Sequence, residues 1–211
     1  MALAHHEHRN IKGVFFDFDG TILNSFSSQF KAYQATFRRF KIQITKNEFL
    51  RNYSPNWLKT YEAFGLSRDA WKDADRYWLK EVSRIPSRFF PQVKTMLLKL
   101  RKSYRVGLVT SGSKQRVLND LRDNKASSLF DVIVTGDDVQ RRKPHPEGLL
   151  KALESLNIES NQAIYVGDAF EDMQMARAAH VRFIGIQSLF TTDLPSALPS
   201  VEDITKLLRK M

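Results

Sequence analysis

Two aspartates separated by one residue, Asp17 and Asp19, are the first candidates for chemistry in the sequence. They come at the end of an apolar run, residues 11–18, and side chains two apart on a strand share one face. Two such carboxylates repel each other unless a cation or a shared proton lies between them. Gly20 and Thr21 follow, and a glycine allows backbone N–H groups to approach a ligand. This pattern predicts a site for a metal ion or an anion, although solvated, capping aspartates would show the same residues.

Hydroxyl and ammonium groups follow two later apolar runs. Thr110, Ser111 and Gly112 come just before a helical pattern, which is typical of an anion site at a helix N-terminus but also of ordinary helix caps. Lys143 precedes Pro144, so it is expected in an extended loop that leads into a helix. Taken alone, each of these patterns is weak, because capping residues and solvated loop lysines are common.

A second acidic pair, Asp168 and Asp172, follows the run that ends at Gly167. The two residues are four apart, so both carboxylates can reach one metal ion across the first turn of a helix. Acidic residues that stabilise a helix N-terminus are the alternative. Four successive strand ends therefore offer, in order, an acidic pair, hydroxyl groups, a lysine and a second acidic pair. Because all four are expected on one rim of the sheet, together they indicate one catalytic site.

The elements that would position these groups alternate along the chain. Five short apolar runs have the length and composition of strands: 11–18, 105–110, 132–135, 163–167 and 181–186. Helical patterns cover 92–102, 114–124, 146–156, 171–179 and 201–209. Repeated strand-helix-strand units predict an α/β fold with a parallel, Rossmann-like sheet, whose ligand crevice lies at the carboxyl ends of the strands.

Residues 24–91 interrupt this alternation and are expected to form several amphipathic helices without a strand. The segment holds all three Trp residues and has 13 Lys or Arg against six Asp or Glu, which is most of the chain's net charge of +10. Its first aromatic residues recur at helical spacing, which predicts a core or interface stripe: Phe26, Phe30, Tyr33, Phe37 and Phe40. The positive charge favours anionic partners.

Composition excludes several classes of protein. The 211 residues include no Cys, so disulfides, thiolate metal sites and cysteine nucleophiles are absent. No apolar run approaches the roughly 20 residues that cross a bilayer. Residues 1–10 lack the apolar stretch of a signal peptide and are expected to be a disordered tail, so we expect a cytoplasmic protein with no membrane partner.

The four motifs together resemble those of the haloacid dehalogenase-like hydrolase superfamily. They match in order Asp17-Phe-Asp19-Gly-Thr21, Thr110/Ser111, Lys143, and Gly167-Asp168 with Asp172. The loop from Lys143 to Glu147 is similar to the branch that contains phosphoglycolate phosphatases and β-phosphoglucomutases, which carry a helical cap. The resemblance implies a core domain of residues 11–23 and 92–211 and a cap domain of residues 24–91.

The resemblance also implies roles for the site residues. Asp17 would attack phosphorus to form an aspartyl phosphate, and Asp19 would act as acid and base. The phosphate-binding residues would be Gly20, Thr21, Thr110 or Ser111, Gly112 and Lys143, with Ser111 favoured over Thr110. The cofactor would be Mg²⁺, held by Asp17, the backbone carbonyl of Asp19, Asp168 and waters oriented by Asp172. An acid at position 19 favours phosphoryl transfer over dehalogenation.

We therefore expect a Mg²⁺-dependent phosphatase of a small phosphorylated metabolite, such as phosphoglycolate, a sugar phosphate or a nucleotide, acting as a monomer or homodimer. A phosphomutase of the β-phosphoglucomutase type uses the same groups and remains an alternative. The interleaved basic and aromatic residues of 24–91 leave a third possibility, a nucleic-acid-end phosphatase or a basic nucleic-acid-binding protein. We do not expect that one, because helical spacing of the aromatics indicates a cap core.

Overall fold

A five-stranded parallel sheet forms the centre of the protein, as the sequence predicted. The structure is a computed structural model and describes residues 11–190, 198 and 203–208; the tail at residues 1–10 lies outside the described residues. The strand order is β5-β4-β1-β6-β7. The strands are β1 (Gly13–Phe16), β4 (Arg105–Val109), β5 (Val132–Val134), β6 (Ala163–Gly167) and β7 (Arg182–Gly185).

Strand β1 lies in the middle of the sheet because all four of its residues are apolar or small and are buried on both faces. Phe16 is in register with Leu108 of β4 on one side and with Val166 of β6 on the other. The residues that follow these three positions leave the sheet at the same edge. The register therefore brings Asp17, the hydroxyls after β4 and Asp168 to one end of the sheet.

Helices cover both faces of the sheet and form one apolar core on each face. Because successive side chains of a strand point to opposite faces, neighbouring residues of β1 belong to different cores. Val14 and Phe16 pack in one apolar cluster with Leu97 and Val117, whereas Phe15 packs in the other with Leu149. The core helices are α5 (Val93–Leu100), α6 (Lys114–Asp123), α7 (Glu147–Ser155), α8 (Phe170–Ala178) and α9 (Asp203–Leu208). Their positions agree with the predicted helical patterns.

The segment 24–91, called the insert below, contains four helices: α1 (Phe26–Arg39), α2 (Lys46–Asn52), α3 (Trp57–Ala63) and α4 (Trp71–Val82). The prediction that it has no strand was wrong at its two ends. There β2 (Leu23–Asn24) pairs with the antiparallel β3 (Arg88–Phe89) and closes the base of the insert. Two-residue strands leave no readable alternation in a sequence, since the alternation signal needs four or more residues.

Aromatic side chains form the core of the insert. Phe26, Tyr33, Phe37 and Phe49 are buried in one cluster, and Phe30 and Phe40 pack against it. The expectation that the helically spaced aromatics form a core stripe is confirmed. Helix α2 begins with a capping box between Thr45 and Glu48, which fixes where the chain turns into that helix. Among the helices of the described residues, none has the length and apolar character needed to cross a membrane.

Candidate active site

Asp17 and Lys143 form a buried ion pair at the end of β1. The Lys143 ammonium donates to Asp17 Oδ1 and also lies 2.7 Å from Asp172 Oδ1. All three side chains are almost fully excluded from solvent. Lys143 is therefore not a solvated loop lysine. Its charge is shared between Asp17 at the end of the first strand and Asp172 of helix α8.

Three buried carboxylates, Asp17, Asp168 and Asp172, place oxygen atoms within 4.8 Å of one another. Asp168 accepts hydrogen bonds from Thr21 Oγ1 at 2.9 Å and from Ser188 Oγ at 2.5 Å. These contacts fix the orientation of Asp168. Asp172 accepts from the backbone N–H of Ala169 and from the Tyr165 hydroxyl. The structure thus brings Asp17 of the first acidic pair together with Asp168 and Asp172, which lie far from it in the sequence.

The electrostatics of this triad are unfavourable without a cation. Burial raises the pKa of Asp17 to about 7, opposed by the charge of Lys143 and reinforced by Asp172. Burial, together with the charges of Asp17 and Asp172, also raises the pKa of Asp168 well above its usual range. One lysine cannot neutralise three carboxylates. An all-oxygen cluster with excess negative charge fits a hard divalent cation such as Mg²⁺.

Asp19 has a different environment from Asp17. Its carboxylate makes a two-point contact with the guanidinium of Arg116, which also reaches Asp120 Oδ2 at 3.3 Å. Although burial opposes ionisation, the charge and hydrogen bonds of Arg116 lower the pKa of Asp19, with further hydrogen bonds from Ser25 and Gln29. The side chain of Asp19 is not part of the acidic triad, and a contribution through its backbone carbonyl stays a prediction.

After β4, the two hydroxyl residues predicted to bind phosphate, Thr110 and Ser111, differ in their hydrogen bonding. Thr110 Oγ1 accepts a hydrogen bond from the backbone N–H of Gly112 at 3.1 Å. Ser111 Oγ and Ser113 Oγ are buried and have no hydrogen-bond partner in the structure. Because buried hydroxyls are normally paired, these two have unmet capacity beside Asp17. The geometry supports Ser111 over Thr110 as the group that meets a ligand.

Gly20 and Thr21 lie next to the triad. Gly20 has a positive φ of 81°, and a Cβ there would come within 2.3 Å of Asp168 Oδ2, so the position requires glycine. The Thr21 hydroxyl is already committed to Asp168. Neither residue lines the pocket described next, so their phosphate-binding roles stay predictions and any contact by Thr21 would have to use its backbone.

A pocket opens over Asp17 between the sheet edge and the insert. From the core it is lined by Asp17, Asp19, Arg116, Asp168, Ala169, Phe190 and the turn from Thr110 to Ser113. From the insert it is lined mainly by aromatic and uncharged side chains: Gln29, Tyr33, Tyr53, Ser54, Pro55, Trp57, Trp78 and Leu79, together with Asp75. Ser54 Oγ also donates to Glu171 Oε1 at 2.9 Å, which joins the insert to helix α8.

Sequence reasoning missed several of these residues. Arg116 is one of many basic residues, and nothing in its neighbourhood distinguishes it from a solvated helical arginine. Its position one turn after the hydroxyl site is the only signal that could have identified it. Asp75 and Trp78 lie on α4, whose orientation above the sheet depends on how the insert packs. A one-dimensional pattern does not contain that information.

Comparison with known proteins agrees with this geometry. The sequence profile of the haloacid dehalogenase-like hydrolase family matches residues 14–186. The chain belongs to this family. A pyrophosphatase PpaX of Bacillus pumilus (strain SAFR-032) is 28% identical to this hydrolase over 179 residues and covers 83% of each chain. The validoxylamine A 7'-phosphate phosphatase of Streptomyces hygroscopicus subsp. limoneus is 30% identical over 207 residues, with 95% of each chain covered.

Relatives of this hydrolase also include the predicted branch. The phosphoglycolate phosphatase of Nitrosospira multiformis is 26% identical over 219 residues, with 95% of this chain and 96% of the relative covered. The crystal structure of CbbY from Rhodobacter sphaeroides in complex with phosphate has a TM-score of 0.80 at 20% identity and covers 92% of this chain and 96% of its own. The predictions of fold and of a phosphoric monoester hydrolase are confirmed.

Proposed function

We propose that this hydrolase is a Mg²⁺-dependent phosphatase of a small phosphorylated metabolite and that Asp17 is its nucleophile. The observation that carries the proposal is the buried Asp17 carboxylate. It is held by Lys143, bordered by Asp168 and Asp172, and faces a pocket in which Ser111 has a free hydroxyl. A phosphoryl group needs these features: an attacking oxygen and fixed charges that neutralise its own oxygens.

In the first step an oxygen of Asp17 forms a bond to phosphorus and the ester oxygen leaves. The products are an aspartyl phosphate and an alcohol, which takes a proton. In the second step water attacks phosphorus, gives up a proton and releases inorganic phosphate, so Asp17 is regenerated. Lys143 keeps Asp17 oriented by a direct hydrogen bond, and it places a positive charge beside the phosphoryl oxygens throughout.

Asp19 is the residue that would handle both protons. Paired with Arg116 it is a carboxylate, which is the form that accepts a proton from water in the second step. To donate a proton in the first step, Asp19 must gain one and loosen its contact with Arg116. We therefore infer that Arg116 holds Asp19 in the base form and that the acid form arises when substrate enters.

A bound Mg²⁺ would supply charge neutralisation for the acidic triad and the phosphate dianion, held by Asp17, Asp168 and Asp172. Thr21 and Ser188 keep Asp168 oriented for that role through their hydrogen bonds. The residues present fit the ion, because every available ligand atom is a carboxylate oxygen and the cluster is short of positive charge.

The insert at residues 24–91 is the proposed cap domain, with 11–23 and 92–211 as the core domain. Its aromatic side chains cover the pocket above Asp17, so they would exclude water and contact the leaving group. The relatives' names include a pyrophosphatase, a phosphoglycolate phosphatase and a validoxylamine A 7'-phosphate phosphatase. The reaction class is shared among them, whereas the leaving groups differ.

The test is release of inorganic phosphate from p-nitrophenyl phosphate and a panel of phosphomonoesters, with Mg²⁺ and with EDTA. We expect release that requires Mg²⁺ and is lost in Asp17→Asn. The matched control is Asp73→Asn, at an exposed carboxylate on α4. Full activity of Asp17→Asn would contradict the proposal. Conversion of a sugar phosphate into its isomer without phosphate release would instead favour the phosphomutase alternative.

A further inference from the structure

We propose that the pocket selects a leaving group that is a polyol, neutral or carrying an amine, and rejects one that carries a carboxylate or a second phosphate. Asp75 of helix α4 is the residue that would impose this choice. The inference rests on the proposed function, since it names the class of phosphoester that the same site hydrolyses. It goes against the net charge of the insert, which by itself would favour anionic leaving groups.

The charge of the pocket differs from the charge of the insert. Of the insert residues that line the pocket, Asp75 is the single charged one, and none of the insert's Lys or Arg residues is among them. The basic side chains of the insert therefore lie elsewhere on its surface. A leaving group that enters this pocket meets a carboxylate on the insert side, and a second anionic group would be repelled by it.

The cations near the pocket are already engaged. Arg116 contacts both Asp19 and Asp120, so its charge is offset before a ligand arrives. The guanidinium of Arg142 lies 5.7 Å from the ring of Trp57, which lines the pocket, and is paired at 3.3 Å with Asp137. Burial raises the pKa of Asp75, and the charges of Arg142 and Asp137 then act on it in opposite directions, Arg142 lowering and Asp137 raising the pKa. Each arginine keeps a buried Nε–H that has no acceptor among the described residues, but the positive charge of each is already offset by a neighbouring carboxylate before a substrate carboxylate arrives.

On the insert side of the pocket, two polar groups have hydrogen-bonding capacity to spare, in addition to Ser111 and Ser113 on the core side. Asp75 makes no hydrogen bond or ion pair to any part of the chain that the structure describes, although its side chain is half-buried. The indole N–H of Trp78, one turn further along α4, is buried and has no acceptor. A hydroxyl group can donate to a carboxylate and accept from an indole, so a polyol satisfies both residues at once.

The remaining walls fit the same class of ligand. Tyr33, Tyr53, Trp57 and Trp78 provide aromatic surface around Asp75. Aromatic rings pack well against the C–H faces of sugars and cyclitols and attract an ammonium group through their π-electrons. The ligand that fits this pocket has hydroxyl groups to pair with Asp75 and Trp78, C–H groups to pack on the aromatic rings, and no negative charge near Asp75. A sugar, an amino sugar or an aminocyclitol meets these requirements.

The experiment compares three phosphoesters with a common carbon chain: glucosamine 6-phosphate, glucose 6-phosphate and 6-phosphogluconate, which are cationic, neutral and anionic at the leaving group. We expect kcat/KM to fall in that order, with at least about a tenfold difference between the first and the last. The ratio of kcat/KM for glucosamine 6-phosphate to kcat/KM for 6-phosphogluconate should fall by about tenfold in Asp75→Asn. Asp73→Asn on the same helix should leave this ratio unchanged.

Each result is interpreted against hydrolysis of p-nitrophenyl phosphate by the same preparation. If that ester is not hydrolysed with Mg²⁺, the proposed function itself fails. If it is hydrolysed and 6-phosphogluconate or phosphoglycolate is preferred, the inference about Asp75 is overturned and the phosphatase assignment stands. Failure of all three sugar esters to be hydrolysed or to inhibit also overturns the inference. An unchanged ratio in Asp75→Asn would remove Asp75 as its cause.

Discussion

Replacing Asp17 by Asn should abolish hydrolysis and make the metal-free protein more stable at neutral and alkaline pH. The two effects have one cause. Asp17 is buried beside Asp168 and Asp172, and the amide removes a negative charge from this cluster without changing the shape of the side chain. Lys143 keeps a partner in the variant, because its ammonium lies 2.7 Å from Asp172.

The magnitude follows from the pKa of Asp17, which burial raises from 3.8 to about 7. A carboxyl whose pKa is higher in the folded protein than in the unfolded chain favours folding only while it is protonated. Its contribution is complete below about pH 4 and is lost as the pH rises through about 7. A shift of roughly three units corresponds to about 4 kcal/mol at pH 8. The attraction to Lys143 is already included in that pKa, and because Asn replaces the protonated acid only approximately, we expect a net gain of about 2–4 kcal/mol.

The assay is thermal unfolding in EDTA at pH 8 and at pH 5, with Asp73→Asn as the exposed control. Asp17→Asn should unfold roughly 5–15 °C above the wild-type protein at pH 8, and the difference should shrink at pH 5, where the wild-type carboxyl is protonated. Saturating Mg²⁺ should also reduce the difference, because the cation stabilises the wild-type cluster. A variant that is less stable than the wild-type protein at pH 8 in EDTA would refute the reasoning.

Two further substitutions test other parts of the structure. Arg116→Met should lower the free energy of unfolding by about 3 kcal/mol, because it leaves the mostly buried Asp19 without its cation. Urea denaturation measures this change. An unchanged midpoint would show that the ion pair contributes nothing to stability. His180→Gly should raise the free energy of unfolding by about 0.5–1 kcal/mol. His180 is exposed and follows helix α8 with a positive φ of 56°, a backbone conformation in which glycine is favoured. A lower melting temperature in the variant would contradict this.

The sequence contained enough information to predict the sheet and the positions of its polar strand ends. Apolar runs such as residues 163–167 coincide with strand β6, since a strand buried on both faces reads as a continuous apolar run. Asp17, Lys143 and Asp168 could be placed together because the ends of parallel strands meet at one edge. Both predictions use local sequence patterns together with a general rule about the topology of parallel sheets, and neither needs three-dimensional information.

The charges inside the pocket could not be predicted in the same way. The positive charge of the insert favoured anionic partners, whereas on the insert side the pocket is lined by aromatic and uncharged residues and by Asp75. Which face of α4 turns toward the sheet depends on packing against α1, a contact between residues far apart in sequence. Arg116 was missed for the same reason, because its partner Asp19 lies 97 residues away.

The distribution of charge gives the site a dependence on cations that net charge conceals. At long range the excess of Lys and Arg attracts a phosphate ester. At the site itself, the ammonium of Lys143 is shared between Asp17 and Asp172, and Asp168 is buried beside them, so a phosphate dianion adds negative charge to a cluster that is already acidic. We therefore expect binding of the phosphoryl group to be coupled to binding of a divalent cation, because the cation would offset the repulsion over the last few ångströms of approach.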